Sequence, residues 1–168
     1  MTKDPIFAFA DHVVSTSLDD MPDEAIKAAK TFILDTLGVG ISGAGGPMAA
    51  ELVAAASKMG TGSDATIWGT GQKMPAGNAA LCNSYQAHCQ EFDCVHEGAV
   101  AHVMTIVLPV ALAVSERVGG VSGKRLLEAA VLGVDVAAAL GSAAQSGLRF
   151  FRPATVGAFG GVAAAGKI

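Results

Sequence analysis

The sequence predicts an all-α fold, a compact bundle of about six to seven helices rich in Ala and Gly, in one helical domain over residues 1–168. Three observations carry this. Apolar residues recur at helical spacing in most segments. Helix start and stop residues punctuate them. Small residues dominate the apolar positions, so facing helices can approach closely, and no strict repeat or heptad is evident.

Residues 4–17 place Ile6, Phe9, Ala10 and Val13 on one helical face. The spacing of Ile26, Ala29, Phe32, Ile33, Leu37 and Ile41 predicts a second helix. Asp20 is its candidate cap, Pro22 suits its first turn, and Asp23 and Glu24 favour the positive end of its dipole. Gly43, Gly45 and Gly46 stop it, and a third helix follows Pro47. Turn residues surround "ATIW", a short extended piece in a long connection. Pro75 opens a helix expected to run through Phe92, and Cys94 to Ala101 reads as a loop. "TIVLPVALAVSERV" resumes the helix, with Pro109 expected to kink it or mark its start. Ser122 caps the longest helix, and Pro153 begins the last. That helix stops at Ile168 without a cap or polar tail and reads as an interrupted element.

Composition narrows the function classes. The chain is 51% hydrophobic and only 15% charged, so some of its surface is expected to be covered by a second copy or another chain. A net charge of −4 and the lack of a basic run argue against nucleic acid. The most apolar stretch, Val103 to Val114, has 12 residues. Crossing a bilayer takes ~20, so no membrane association is expected. Cys82, Cys89 and Cys94 are an odd, clustered set rather than a secreted disulfide framework. No signal peptide is visible, and a cytoplasmic location is the default expectation.

The titratable side chains concentrate in "AHCQEFDCVHEGAVAHV", which holds three histidines, two cysteines, two glutamates and one aspartate in seventeen residues. A metal site, an acid/base site and a polar helix boundary are all open readings. Cys89, Cys94, His96 and His102 offer zinc-ligand chemistry, but their spacing is not a standard zinc pattern. On a helix through Phe92, His88, Glu91 and Phe92 share a face, with Cys89 and Asp93 as a further pair. Bland alternatives exist for each residue. His88 reads as a satisfied helix histidine, Cys82 and Cys89 as small buried residues, and His96 and Glu97 as solvated loop residues. His12 reads as surface or packing, and Glu116 and Arg117 as a solvated helix end. Asp135, alone in an apolar helix, needs a partner. No Lys or Arg occurs between Met74 and Glu116, so cations for an anionic substrate must come from elsewhere.

The stretches "TFILDTLGVGISG", "GNAALCNSYQAHCQEFDCVHEG", "LPVALAVSE", "SGKRLLEAAVLGVDV" and "PATVGAFGGVAAAGK" run in an order that resembles the N-terminal part of the MmgE/PrpD family. That family includes 2-methylcitrate dehydratases and cis-aconitate decarboxylases. The resemblance implies an all-α domain that pairs into dimers and is followed by a lid domain. It also implies lyase chemistry on small polycarboxylates that needs no metal or other cofactor. His102 matches the active-site histidine, Asp93 is kept, Glu91 stands at the first Asp of the motif, and His96 is the candidate substrate-binding residue. There are departures. Cys94 and Val95 stand where relatives carry Asp and Thr, "HVMT" lacks the Pro after the histidine, and Phe151 occupies a position where many relatives carry His. The substrate-binding lysines and tyrosine of relatives lie beyond these residues.

Three functional outcomes are therefore open. The chain is the small subunit or N-terminal half of a lyase completed by another, lysine-bearing chain; a non-catalytic stabilising partner of a full-length paralogue; or an inactive truncated fragment. Retention of Glu91, Asp93, His96 and His102 favours the first.

Overall fold

A computed structural model of the chain describes residues 4–144 and 151–168. Among them are seven α-helices and one small hairpin: α1 (Ile6–Ser15), α2 (Asp23–Gly43), α3 (Ala49–Ala56), β1 (Ala65–Thr66), β2 (Lys73–Met74), α4 (Ala76–His88), α5 (Met104–Arg117), α6 (Gly123–Ala143) and α7 (Arg152–Lys167). The all-α expectation holds. The hairpin is antiparallel, pairing Ala65 with Met74 and Thr66 with Lys73, where "ATIW" was read as extended. Buried Asn83 of α4 ties it down, accepting from Trp68 N and donating to the Thr66 carbonyl.

Helix α5 lies at the centre, packed by α4, α6 and α7, while α2 closes over α4 and α6. Its Val107 and Ala111 join Ala129 and Ala137 of α6 and Val156 and Ala164 of α7 in one core cluster. Its Met104 and Leu108 meet Trp68 and Ala87 in another. Glycines set the spacing where helices touch. A Cβ on Gly43 would stand 1.9 Å from the Gln86 carbonyl oxygen, so α2 meets α4 backbone to backbone in the last turn of α4. A Cβ on Gly160 of α7 would stand 2.6 Å from the Gly133 carbonyl of α6.

Several local expectations are corrected. Helix α4 ends at His88, four residues before Phe92. Pro109 lies inside α5 and does not begin it. Proline removes the amide that would bond the Thr105 carbonyl. The Ser84 hydroxyl of α4 donates to that carbonyl at 2.6 Å instead, which keeps the helix intact and pins it to its neighbour. Asp20 does not cap α2. It closes a 3₁₀ turn (Leu18–Asp20) by accepting from Ser17 N and Oγ, and these bonds hold its carboxyl below the usual carboxylate range. The buried face of α2 is Thr36, Gly40 and Gly43, whereas Phe32 and Ile41 are exposed. Glu116 is not a solvated end, because it accepts from Thr66 N and Oγ1 and anchors the hairpin.

Asp135 has the partner it needs, His12 Nε2 at 3.1 Å, at a half-exposed contact between α1 and α6. Buried Lys167 donates to the carbonyls of Val13, Val14 and Thr16, placing its charge at the negative end of α1. Among the described residues, α6 alone has the length and apolar composition to cross a membrane. It is packed against α5 and α7, and buried Glu128 accepts from Leu18 N and Arg125.

Two substitutions in α2 test the packing account. Gly43→Ala has no room and is expected to cost about 1–3 kcal/mol. Gly38→Ala, with nothing within 4 Å of the new Cβ, is expected to stabilise by about 0.5–1 kcal/mol through helix propensity. Urea denaturation of the two variants reads the opposite signs.

Candidate functional site

The site is built where α4 stops and α5 starts. Glu91 adopts a left-handed backbone conformation at φ 55°, and its N–H donates to the His88 carbonyl. That turn reverses the chain, sends Phe92 outward to 77% exposure and directs Asp93 inward. The loop then folds back on itself, with His96 N donating to the Ala101 carbonyl at 2.9 Å. Ala99 is pressed against Gly141 of α6, where a Cβ would stand 2.6 Å from that of Ala99. This return brings His102 beside His88, with ring centroids 4.8 Å apart and an edge-on angle of 61°.

Asp93 is the hub, its side chain fully buried. His88 Nδ1 lies 3.1 Å from Oδ1 and 3.2 Å from Oδ2. Thr105, in the first turn of α5, donates its hydroxyl to Oδ2. His102 Nδ1 lies 3.0 Å from the same oxygen, an ion-pair distance without the alignment of a good hydrogen bond. A carboxylate on Nδ1 favours the tautomer with the proton there, leaving the Nε2 lone pair on the outer edge. His88 Nε2 faces Glu91 Oε1 at 3.3 Å, and the Glu91 side chain is 71% exposed. The arrangement can accept a proton at an outer imidazole nitrogen while a buried carboxylate balances the resulting charge.

The structure brings Glu91, Asp93 and His102 together, as the sequence suggested, and adds two residues. His88, read as a structural histidine, is an equal partner of Asp93. Thr105 lies in the "HVMT" departure, and nothing in its residue type marks it as a site residue. His96 joins the group only through its backbone pairing with Ala101; its ring accepts from Ala99 N at 3.0 Å. It lines an apolar groove of about 250 Å³ with Ala28, Phe32, Val95, Val134 and Asp135, next to the cluster but not formed by it.

The cysteine-based zinc reading does not assemble. Cys94 packs among Trp68, Ala87, Met104 and Leu108. Cys89 Sγ donates to the Gly43 and Gln86 carbonyls. Burial pushes both thiols up, as it does that of Cys82, and the nearby acids Asp35 and Asp93 add to the effect at Cys94.

The MmgE/PrpD N-terminal domain family matches residues 8–168. The cis-aconitate decarboxylase of Mus musculus is 31% identical over 175 residues, covering 99% of this chain and 36% of that protein. That of Homo sapiens is 31% identical over 179 residues, with the same coverage. That of Aspergillus terreus is 31% identical over 129 residues, covering 74% of this chain and 26% of its own length. The chain thus spans about a third of the length of the relatives it matches most fully.

Thr105→Val removes the donor to a buried carboxylate oxygen and is expected to cost about 1–3 kcal/mol. Glu91→Gln, at an exposed position, is expected to stay within about 0.5 kcal/mol of the parent. Equal losses in chemical denaturation would show that Thr105 is not supporting Asp93.

Proposed function

The chain belongs to the MmgE/PrpD family, and on that premise we propose that it supplies the acid/base half of a lyase site for a small polycarboxylate. The observation that carries this is the buried Asp93 carboxylate with His88 and His102 on its two oxygens. Dehydration next to a carboxylate needs a base to take the α-proton and an acid for the leaving hydroxyl. Decarboxylation needs a donor to protonate the carbon chain whose electron pair is released as CO₂ departs. The outer nitrogen of His102 is the proton-transfer atom in this reading. Asp93 orients the ring and balances the imidazolium, while Glu91 positions His88. His96 would contact substrate only from the groove side. No metal or cofactor enters the chemistry.

The substrate's negative charge is the missing half. No Lys or Arg lies between Met74 and Glu116, so the cations come from outside this segment. We assign them to a lysine-bearing chain, either a distinct subunit or a second copy, in a reducing cytoplasm that suits the three free cysteines. A stabilising, non-catalytic role is the second reading. It is favoured by Cys94, turned into the core, and by Val95, both of which replace polar positions of the family motif.

Co-expression with a lysine-bearing relative, followed by assay of CO₂ release from cis-aconitate, separates the two. His102→Ala is expected to lower turnover by about 10²–10⁴-fold. Turnover unchanged by that substitution, with the complex intact, would assign the chain to the stabilising role.

A further inference from the structure

His88, Glu91 and His102 each present a ligand atom, and all three lie within 4.8 Å of one another. They come from three separate pieces of backbone: the last residue of α4, the left-handed turn, and the residue two before α5. We propose that this face binds a first-row divalent transition ion such as Zn²⁺, with Asp93 as the outer carboxylate that orients both histidines.

Four features support it. Two imidazoles and one carboxylate are a donor set that borderline ions take readily and hard ions do not. Ligand atoms around a tetrahedral zinc sit about 3.3–3.5 Å apart, given bond lengths of roughly 2.0–2.1 Å. The His88 Nε2 to Glu91 Oε1 separation is already 3.3 Å. Metal-bound histidines regularly place their other nitrogen on a carboxylate, and Asp93 stands at the Nδ1 of both rings. His102 completes the set, its ligand atom lying within 4.8 Å of those of His88 and Glu91 while Nδ1 keeps its place 3.0 Å from Asp93 Oδ2.

Charge points the same way. With neutral imidazoles, Glu91 and Asp93 give the cluster two negative charges, matching a divalent ion, and no Lys or Arg lies between Met74 and Glu116. Binding stands apart from the lyase reading. Where that reading holds, the ion occupies the same imidazole lone pairs and inhibits turnover.

Isothermal titration calorimetry of the whole chain with ZnCl₂ tests the site. One Zn²⁺ per chain is expected, with no heat from MgCl₂ beyond dilution. His88→Ala and His102→Ala should weaken binding at least about tenfold, and Asp93→Asn by about 10–100-fold. Glu91→Gln, exposed and harmless to the fold, should also weaken it and keeps the test valid if a histidine variant misfolds. Cys89→Ser and His96→Ala should leave binding unchanged. No saturable zinc binding, or binding that survives Glu91→Gln and His88→Ala but is lost in Cys89→Ser, would overturn the proposal. CO₂ release is assayed separately, on zinc-free complex, so failure of zinc binding and failure of the lyase reading are read independently.

Discussion

A carboxylate taken out of water must be met by donors and positive charge, or its burial is unaffordable. Asp93 is met on three sides, by His88, His102 and the Thr105 hydroxyl. Each partner depends on a different packing contact. Backbone contact between Gly43 and Gln86 fixes the end of α4 and with it His88. The fit of Ala99 against Gly141 holds the loop that returns His102. Ser84, filling the bond that Pro109 vacates, pins the first turn of α5, where Thr105 sits. The bundle's small residues are therefore more than filler, because close approach of four helices is what gathers one polar cluster from distant segments.

Much of this was legible in the sequence. Helical spacing, Pro22, Ser122, Pro153 and the glycines after Gly43 mark the helices, since these signals act locally. The acid/base cluster was legible as a concentration of titratable residues and as an altered family motif. What escaped was decided by tertiary contact. The helix that Pro75 opens is expected to run through Phe92, past the real end of α4 at His88, and nothing in the residue type Glu announces a left-handed turn at position 91. His88 is ambiguous until Asp93 is seen beside it. Pro109 reads as a kink or a helix start unless Ser84, 25 positions earlier, is known to serve the orphaned carbonyl. The exposed face of α2 departs from its periodicity because Gly40 turns toward Trp68, where a Cβ would stand 2.5 Å from the ring.

The cluster and the groove beside it have different characters. The groove is apolar and suits a hydrocarbon surface better than a polycarboxylate. The outer edges of His88 and Glu91 instead face solvent. Phe92, Val95 and Phe151 are exposed as well. Among the described residues, the ion-pair partners of the cluster are its own histidines and acids, and Phe92 and Val95 of the same loop are exposed. The relatives it matches most fully are about three times as long.

The central claim is that Asp93 holds both imidazoles by their Nδ1 atoms, leaving the outer nitrogens for proton transfer. Long-range ¹H–¹⁵N correlation spectra of the neutral histidine side chains test it directly. The account predicts the Nδ1–H tautomer for both His88 and His102, lost from both in Asp93→Asn. The Nε2–H tautomer in both rings of the parent protein, unaltered by that substitution, would contradict it.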